Sequence, residues 1–489
     1  MTSFRSTISQ QRQLPANALI ALVDDIAEHQ LAINSFMLLQ NGDCMLQWHR
    51  NPYRSDCPQL LFSLSKSITS IAVGIAWDRG LLDLDDAVIS FFPDKLPTTV
   101  TPNLARMTVR HLLSMTAGHE DNIYAAVAKE QDWASAFLSQ HVPHGPGTRY
   151  RYSTHSTYML AAIIERVTGI GLVDFLMPAL FEPLAIPRPS WEKCPMGITA
   201  GGMGLSLTTE SIAKFGLLLL NNGLYEGKRI VSETYIRMAT SEQSDNRAEA
   251  APGRVDSAQG YGYQIHLCRK ECYRGDGSFG QLCFVAPNEQ IVIAATASFT
   301  SMNELQSLLN LIYEHIIDRI DEEGSLSHDD DQVLLQRVLL QRVAQLSEGI
   351  DINKPYSDRT ASLDGAAYTL SGNPHGLRQI RFFEQDDLLE MQMVYGDERN
   401  NVLPFSWIEP IAVYDVFNKD LSLHRQEVIT SASWLDSRTL ELKLVYIETP
   451  YVVTYKIVFI EDSAIHFQFS INVSLNIPEY RVEGIRTSL

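Results

Sequence analysis

The sequence has little that would tie it together covalently or hold it in a membrane. Its 489 residues include only six cysteines, and no two of them form a Cys-x-x-Cys pair or a zinc-type arrangement. No uncharged apolar run reaches the roughly 18 residues that a transmembrane helix needs. The first residues lack the apolar stretch of a secretory signal. We therefore expect reduced cysteines, no membrane association and a cytoplasmic location.

Positive charge is also scarce. The chain has 39 lysines and arginines against 58 aspartates and glutamates, which gives a net charge of −19. An acidic surface repels phosphate backbones and anionic lipids, so neither nucleic acid nor a membrane surface is an expected partner. The 13 histidines never form a His-Glu-x-x-His motif, and we expect no metal and no cofactor. With 45% hydrophobic residues, the chain can build large cores without such support.

Two patterns follow each other along the chain. Over residues 1–320, helical periodicity alternates with hairpins and buried-strand runs, which predicts an α/β (α+β) domain with an antiparallel sheet, flanking helices and an all-helical region. Residues 321–349 read as an acidic linker and an amphipathic connector helix. Residues 350–489 alternate with period two and predict a β-rich accessory domain, an open sheet or a barrel. Its apolar strands would suit a homodimer contact.

The tetrapeptide Ser-x-x-Lys occurs three times, beginning at Ser63, Ser190 and Ser211. A serine at the start of a helix has its Oγ near the positive helix end, and a lysine one turn later returns its amine to the same face. A desolvated lysine can lose its proton and activate the serine. Ser190 lies among prolines, and Ser211 lies one turn inside a predicted helix. Only Ser63, with Lys66, stands where a long apolar helix begins, so this pair is the candidate nucleophile and base.

A candidate acid–base group lies at a predicted junction between a loop and a helix. Tyr152 stands there beside Arg149 and Arg151. Positive neighbours would lower the pKa of the phenol and let it act as a base. Tyr150 and Tyr158 are the alternatives to Tyr152.

A glycine-rich segment between two predicted strands supplies a third element. Gly275-Asp276-Gly277 precedes Ser278 there. Glycines beside a strand let a substrate approach the backbone closely. The backbone N–H groups of Ser63 and Ser278 could then hold an oxyanion together.

In this order, the three elements resemble the serine β-lactamase and penicillin-binding-protein superfamily, whose signatures are Ser-x-x-Lys, Tyr-x-Asn and Lys-Thr-Gly. The chain is most similar to the class C β-lactamase-like branch of esterases, DD-peptidases and amide hydrolases, over roughly residues 15–318. The resemblance implies that Ser63 is the acylated nucleophile, that Lys66 relays its proton and that Tyr152 is the general base. It also implies an oxyanion hole formed by the N–H groups of Ser63 and Ser278.

The chain departs from the family pattern at two positions. Thr154 replaces the asparagine of Tyr-x-Asn, and Gly275 replaces the lysine of Lys-Thr-Gly. In β-lactamases and peptidases that lysine helps to hold the substrate carboxylate. Because Gly275 removes it and Asp276 adds negative charge, we expect a neutral or cationic ester or amide substrate, although Arg274 could compensate. The candidate substrate-binding residues are Thr154, Gly275, Asp276 and Gly277.

These observations predict a serine hydrolase that cleaves an ester or amide bond of a small molecule or peptide through an acyl-enzyme on Ser63. The loops at residues 119–147 and 240–257 are expected to shape its pocket. Two alternatives stay open. One is a β-lactamase or D-alanyl-D-alanine carboxypeptidase of the penicillin-binding-protein type. The other is a non-catalytic ligand-binding protein on a hydrolase scaffold.

Overall fold

The computed structural model describes residues 14–320, 329–349, 363–460 and 463–487. These residues divide into two compact units. The first unit takes the described residues up to His49, Ser55–Ser347 and the short segment Asp420–Ser422. The second takes Arg50–Arg54 and the described parts of Glu348–Lys419 and Leu423–Leu489. No helix within the described ranges is long and apolar enough to cross a membrane.

An antiparallel sheet of six strands forms the centre of the first unit, in the order β2-β1-β11-β10-β9-β8. Two small sheets accompany it, β3-β5-β4 and β6-β7. The strands of this unit are β1 (Ile33–Gln40), β2 (Asp43–His49), β3 (Gln59–Leu60), β4 (Ser190–Trp191), β5 (Leu205–Leu207), β6 (Leu224–Tyr225), β7 (Lys228–Arg229), β8 (His266–Leu267), β9 (Tyr273–Gly277), β10 (Gln281–Ala286) and β11 (Ile291–Ala297).

Twelve α-helices are present in the described ranges. They are α1 (Ala16–Glu28), α2 (Ser65–Asp78), α3 (Pro102–Arg106), α4 (Val109–Leu113), α5 (Tyr124–Ala128), α6 (Trp133–Leu138), α7 (Thr154–Thr168), α8 (Leu172–Leu176), α9 (Thr209–Leu220), α10 (Glu233–Ala239), α11 (Met302–Ile312) and α12 (Asp329–Ser347). The connector helix predicted after the acidic linker is α12, which belongs to the first unit, while residues 321–328 of that linker lie outside the described residues.

Helices cover both faces of the central sheet, and the strand sequences reflect this. Every residue of β1 is buried. Met37 and Leu39 pack into the hydrophobic core that contains α2 and α9, whereas Phe36 and Leu38 pack into the core that contains α1 and α11. Side chains of a strand alternate between the two faces of a sheet, so a strand covered on both faces carries apolar residues on both.

Turn and cap residues stand at the ends of these elements. The β1–β2 hairpin turns at Asn41 and Gly42, both with positive φ, 54° and 86°. Helix α7 has Ser153 as its N-cap, and Gly169 ends it in the left-handed conformation with φ 74°.

The second unit is a β-barrel. Ten strands lie in the order β15-β14-β13-β12-β21-β20-β19-β18-β17-β16, and a pairing between β15 and β17 closes nine of them into a ring. The strands are β12 (Ala367–Leu370), β13 (Leu377–Gln385), β14 (Leu388–Tyr395), β15 (Asn400–Ser406), β16 (Ile411–Asn418), β17 (Leu423–Asp436), β18 (Thr439–Tyr446), β19 (Val452–Ile460), β20 (Ala464–Ile471) and β21 (Tyr480–Arg486). The predicted fold class is confirmed, and the barrel is closed rather than open.

Candidate active site

Ser63 lies in a tight turn between a strand and a helix. Strand β3 ends at Leu60, a 3₁₀ turn runs from Phe62 to Leu64, and α2 begins at Ser65. Phe62 takes a positive φ of 48°, which is strained for a bulky residue. The Ser65 hydroxyl donates to the Phe62 carbonyl at 2.6 Å and stabilises the turn. The sharp turn leaves Ser63 half-buried at the wall of a cavity.

Lys66 follows one helical turn later and reaches back to the serine. Its Nζ lies 2.9 Å from Ser63 Oγ and donates to the Gly202 carbonyl at 2.7 Å. The side chain is 2% exposed, and within the described ranges no carboxylate lies within 4 Å of Nζ. Burial lowers the pKa of Lys66 to about 7, against the opposing effect of Asp420 and Asp276. A sizeable fraction of Lys66 is therefore neutral near pH 7 and able to accept a proton.

Tyr152 completes the group around Ser63. Its ring centre lies 5.0 Å from Lys66 Nζ, and its hydroxyl is hydrogen-bonded with Ser63. Burial raises the pKa of Tyr152 well above its usual value, and the hydrogen bond with Ser63 opposes this only in part. The expectation that Arg149 and Arg151 lower this pKa is wrong. These guanidinium groups point to carboxylates instead, Arg149 to Glu120 and Arg151 to Glu249, each at 2.7 Å.

The two alternative tyrosines occupy different surroundings. Tyr150 also lines the cavity, packed edge-on against Tyr261 with ring centres 5.3 Å apart. Tyr158 is fully buried in the core, and its hydroxyl contacts Cys194 Sγ at 3.5 Å. Tyr152 is therefore the tyrosine among these three that lies beside both Ser63 and Lys66.

The glycines of β9 let this strand pack directly against the turn and helix that carry Ser63. A Cβ on Gly275 would lie 2.5 Å from Ser67 Oγ, and one on Gly277 would lie 2.1 Å from the Leu61 carbonyl oxygen. Because the contact at Gly277 is with backbone, glycine is required there, whereas a Cβ on Gly275 would force the Ser67 and Leu64 side chains to shift. Gly277 lines the cavity, whereas Gly275 faces α2.

Ser278 follows directly and begins a turn that also lines the cavity. The next residue, Phe279, has a positive φ of 65°. Its ring meets that of Phe62 edge-on, with centres 5.1 Å apart. The two turns that carry Ser63 and Ser278 thus face each other, with a strained phenylalanine in each.

The Asp276 side chain lies on the opposite face of β9 from Gly275 and faces the cavity. Arg274 Nε donates to its carboxylate at 2.8 Å, and His266 Nε2 lies 3.9 Å away. Burial would raise the pKa of Asp276, but Arg274 and His266 outweigh it and hold that pKa below its usual value. The Arg274 guanidinium also donates to the Asp256 carbonyl at 2.7 Å. Asp276 and Arg274 therefore form an ion pair with no net charge.

Thr154 is the first residue of α7, and the N-cap role belongs to Ser153. Its backbone and Cγ2 atoms pack against Gly202, the residue whose carbonyl accepts from Lys66. A Cβ on Gly202 would lie 2.7 Å from the Thr154 carbonyl oxygen. Thr154 thus lies behind Lys66, in contact with the glycine segment.

The cavity has a volume of about 440 Å³, within the range of small-molecule sites. Besides the residues above, it is lined by side chains that the sequence analysis did not single out, namely Asn122, Asn246, Glu249, Ala250, Ala251, Arg254, Ser257, Met302, Leu305, Gln306 and Leu309. The loop at residues 240–257 contributes six of these, as its predicted pocket-shaping role requires. Those of α11 gave no sequence signal, because their apolar spacing is that of any helix packed on a core. Across the described residues, no cluster of three or more His, Cys, Asp or Glu side chains is arranged to hold a metal ion.

Comparison with known proteins agrees with this architecture. The family model described as Beta-lactamase matches residues 21–311. A 6-aminohexanoate-dimer hydrolase of Paenarthrobacter ureafaciens is 25% identical over 240 residues, which are 45% of this chain and 60% of that protein. The chain thus spans less than two thirds of this curated relative.

Solved structures share the fold at lower identity. A penicillin-binding-protein homologue from Caulobacter crescentus superposes with a TM-score of 0.51 at 17% identity, over 62% of this chain and 98% of that one. EstCE1, titled a hydrolase with promiscuous acyltransferase activity, gives 0.50 at 16% identity, over 61% and 99%. The chain belongs to the Beta-lactamase family, within the serine β-lactamase and penicillin-binding-protein superfamily.

Proposed function

We propose that this protein is a serine hydrolase that cleaves a neutral ester or amide through an acyl-enzyme on Ser63. The observation that carries the proposal is the convergence of Ser63 Oγ, the Lys66 amine and the Tyr152 ring at one wall of the cavity. A pKa of about 7 suits Lys66 to act as a base at neutral pH. Tyr152 has a raised pKa and stays protonated there, so we assign the base role to Lys66 rather than to Tyr152.

In the proposed reaction, Ser63 Oγ attacks the substrate carbonyl carbon while its proton passes to Lys66. The backbone N–H groups of Ser63 and Ser278 stabilise the oxyanion of the tetrahedral intermediate. The leaving group departs with the proton, relayed from Lys66 through the Tyr152 hydroxyl. Water then attacks the acyl-enzyme by the same route in reverse and regenerates Ser63.

The substrate class is proposed from β9. A lysine at position 275 would have to displace the Ser67 and Leu64 side chains, and the glycine present there lacks the cation that holds a carboxylate in β-lactamases. Since Arg274 neutralises Asp276, the strand offers neither a free cation nor a free anion, which favours a neutral acyl group over a charged one. The relative named a 6-aminohexanoate-dimer hydrolase supports hydrolysis by this scaffold of compounds other than β-lactams.

Hydrolysis of a neutral nitrophenyl ester by wild type and Ser63→Ala tests the proposal, with a penicillin followed in parallel. We expect turnover of the ester by wild type, a loss of about 10⁴-fold or more in Ser63→Ala because the nucleophile is gone, and slow or no penicillin hydrolysis. Ester turnover by Ser63→Ala at the wild-type rate would contradict the mechanism. Penicillin turnover faster than ester turnover would favour the β-lactamase or carboxypeptidase alternative.

A further inference from the structure

Asp420 lies in a short segment whose backbone is held by the buried carboxylate of Glu192. Glu192 follows β4 directly and is 7% exposed. It accepts hydrogen bonds from the N–H groups of Asp420, Leu421 and Ser422 at 3.1, 3.2 and 3.1 Å, and from Ser422 Oγ at 3.0 Å. A buried carboxylate is stable only when donors surround it. Glu192 therefore fixes the backbone of the segment Asp420–Ser422, which belongs to the first unit.

The side chain of Asp420 in turn holds one end of a glycine-rich segment, residues 201–204. Gly204 N–H donates to Asp420 Oδ2 at 3.1 Å. Gly204 has a positive φ of 81°, and a Cβ there would lie 2.7 Å from Glu192 Cβ. The segment 201–204 is thus packed between Glu192 and α7, with little freedom to move.

The same glycine segment is the acceptor for the catalytic lysine. Lys66 Nζ donates to the Gly202 carbonyl at 2.7 Å, and Thr69, on the same helix, donates to the Gly201 carbonyl at 2.8 Å. Trp191 Nε1 donates to the Met203 carbonyl at 2.8 Å. Asp420 and Lys66 therefore bind the same short backbone segment, at Gly204 and at Gly202.

Charge links the two residues as well. Lys66 interacts electrostatically with Asp420 and Asp276, and its positive charge acts on His155 and His266. Asp420 interacts with Lys66, Glu192 and Tyr124. Burial, with Glu192, raises the pKa of Asp420 to about 7, and Lys66 opposes the rise. Asp420 and Lys66 therefore influence each other's charge.

We propose that Asp420 is a positioning residue for Lys66, which it orients through Gly204 and the glycine segment and whose charged form it stabilises. The proposal rests on the proposed function, because it assigns Asp420 a role in the protonation of the catalytic base. The segment Asp420–Ser422, which Glu192 holds in place, is then part of the active site.

Two substitutions of Asp420 separate its charge from its hydrogen bond. Asp420→Asn keeps an oxygen that can accept from Gly204 N–H but removes the negative charge, whereas Asp420→Ala removes both. Without the charge, the pKa of Lys66 falls, so the acidic limb of kcat/KM for a neutral nitrophenyl ester should move to lower pH by about half a unit or more in both variants. Asp420→Ala should in addition lose about tenfold in kcat at the plateau, because misplacing a catalytic group is costly.

Asp174→Asn is the matched control, because it removes a carboxylate that is 56% exposed and pairs with Arg188 at 2.6 Å. It should keep the wild-type profile. An acidic limb that does not move in Asp420→Asn overturns the proposal, as does a loss of kcat without a shift of the limb, which a merely structural role would cause. Circular dichroism checks folding, and the Asn variant decides the question even where the Ala variant does not fold. Ester turnover by Ser63→Ala in the same assay would instead overturn the proposed function.

Discussion

The starts of α2 and α9 share the pattern Ser-x-x-Lys, but the two lysines have different surroundings. Each carries a serine and a lysine one turn apart, Ser63 with Lys66 and Ser211 with Lys214, and both lysines are buried, 2% and 8% exposed. Lys214 Nζ is paired with Glu210 at 2.9 Å and donates to the Ala185 carbonyl at 3.1 Å. Lys66 contacts the serine hydroxyl and a carbonyl instead.

This difference shows what turns the pattern into a site. Lys214 has a carboxylate at contact distance, whereas Lys66 is buried among neutral oxygens, and burial lowers the pKa of Lys66 to about 7. The serines differ too. Ser211 lies inside a regular helix with its hydroxyl 2.8 Å from that of Thr208, while Ser63 lies in a strained turn at a cavity wall. The surroundings, rather than the four residues, determine the chemistry.

The largest effect should separate the two lysines. Lys66→Met keeps the aliphatic stem but removes the amine, and we expect kcat/KM for a neutral ester to fall by about 10⁴-fold, the upper end of the range for general acid–base groups. Lys214→Met should keep the wild-type kcat/KM, because that amine lies in an ion pair away from the cavity. Steady-state kinetics on both variants measure this difference, and melting curves check that both fold. An equal loss of activity in the two variants would contradict the distinction between the lysines.

The tyrosines give the next largest effect. Tyr152→Phe removes the hydroxyl that is hydrogen-bonded with Ser63, and kcat should fall by about 10²-fold or more. Tyr158→Phe removes a hydroxyl that lies in the core beside Cys194 Sγ and should leave kcat unchanged. A loss below about tenfold in Tyr152→Phe would remove Tyr152 from the proton relay.

The smallest effect concerns the strand that faces α2. Gly277→Ala places a Cβ 2.1 Å from the Leu61 carbonyl oxygen, so β9 must move away from the turn that carries Ser63. We expect a loss of about 1–3 kcal/mol in the free energy of unfolding and a melting temperature several degrees lower. Gly145→Ala, whose Cβ would make an ordinary 3.5 Å contact with Thr148 Cγ2, is the control. Equal melting temperatures for the two variants would contradict the close packing.

The fold was largely predictable because its signals are local. The Asn41-Gly42 turn, the end of α7 at Gly169 and the uninterrupted apolar run of β11 each depend on residues near in sequence. The alternating pattern from Gly260 to Leu267 predicts a longer strand than is present. Only His266–Leu267 pair as a strand, because Gln264 takes a positive φ of 60° and its side-chain amide donates to the Leu112 and Leu113 carbonyls.

The site was predictable only in part, for a related reason. Ser63, Lys66 and Tyr152 belong to segments with recognisable local patterns. The lowered pKa of Lys66 and the raised pKa of Tyr152 both depend on burial, and Arg149 and Arg151 are bound to glutamates instead of facing Tyr152. Glu192 and Asp420 are 228 residues apart in sequence, and no pattern near either one indicates that they meet. Tertiary contacts of this kind leave no trace in local spacing.

Intact-protein mass after exposure to a fluorophosphonate tests the central claim most directly. The reagent phosphonylates an activated serine, so wild type and Ser211→Ala should each gain one adduct while Ser63→Ala gains none. Peptide mapping should place the adduct on Ser63. An adduct that persists in Ser63→Ala, or no adduct on folded wild type, would contradict the assignment of Ser63 as the nucleophile.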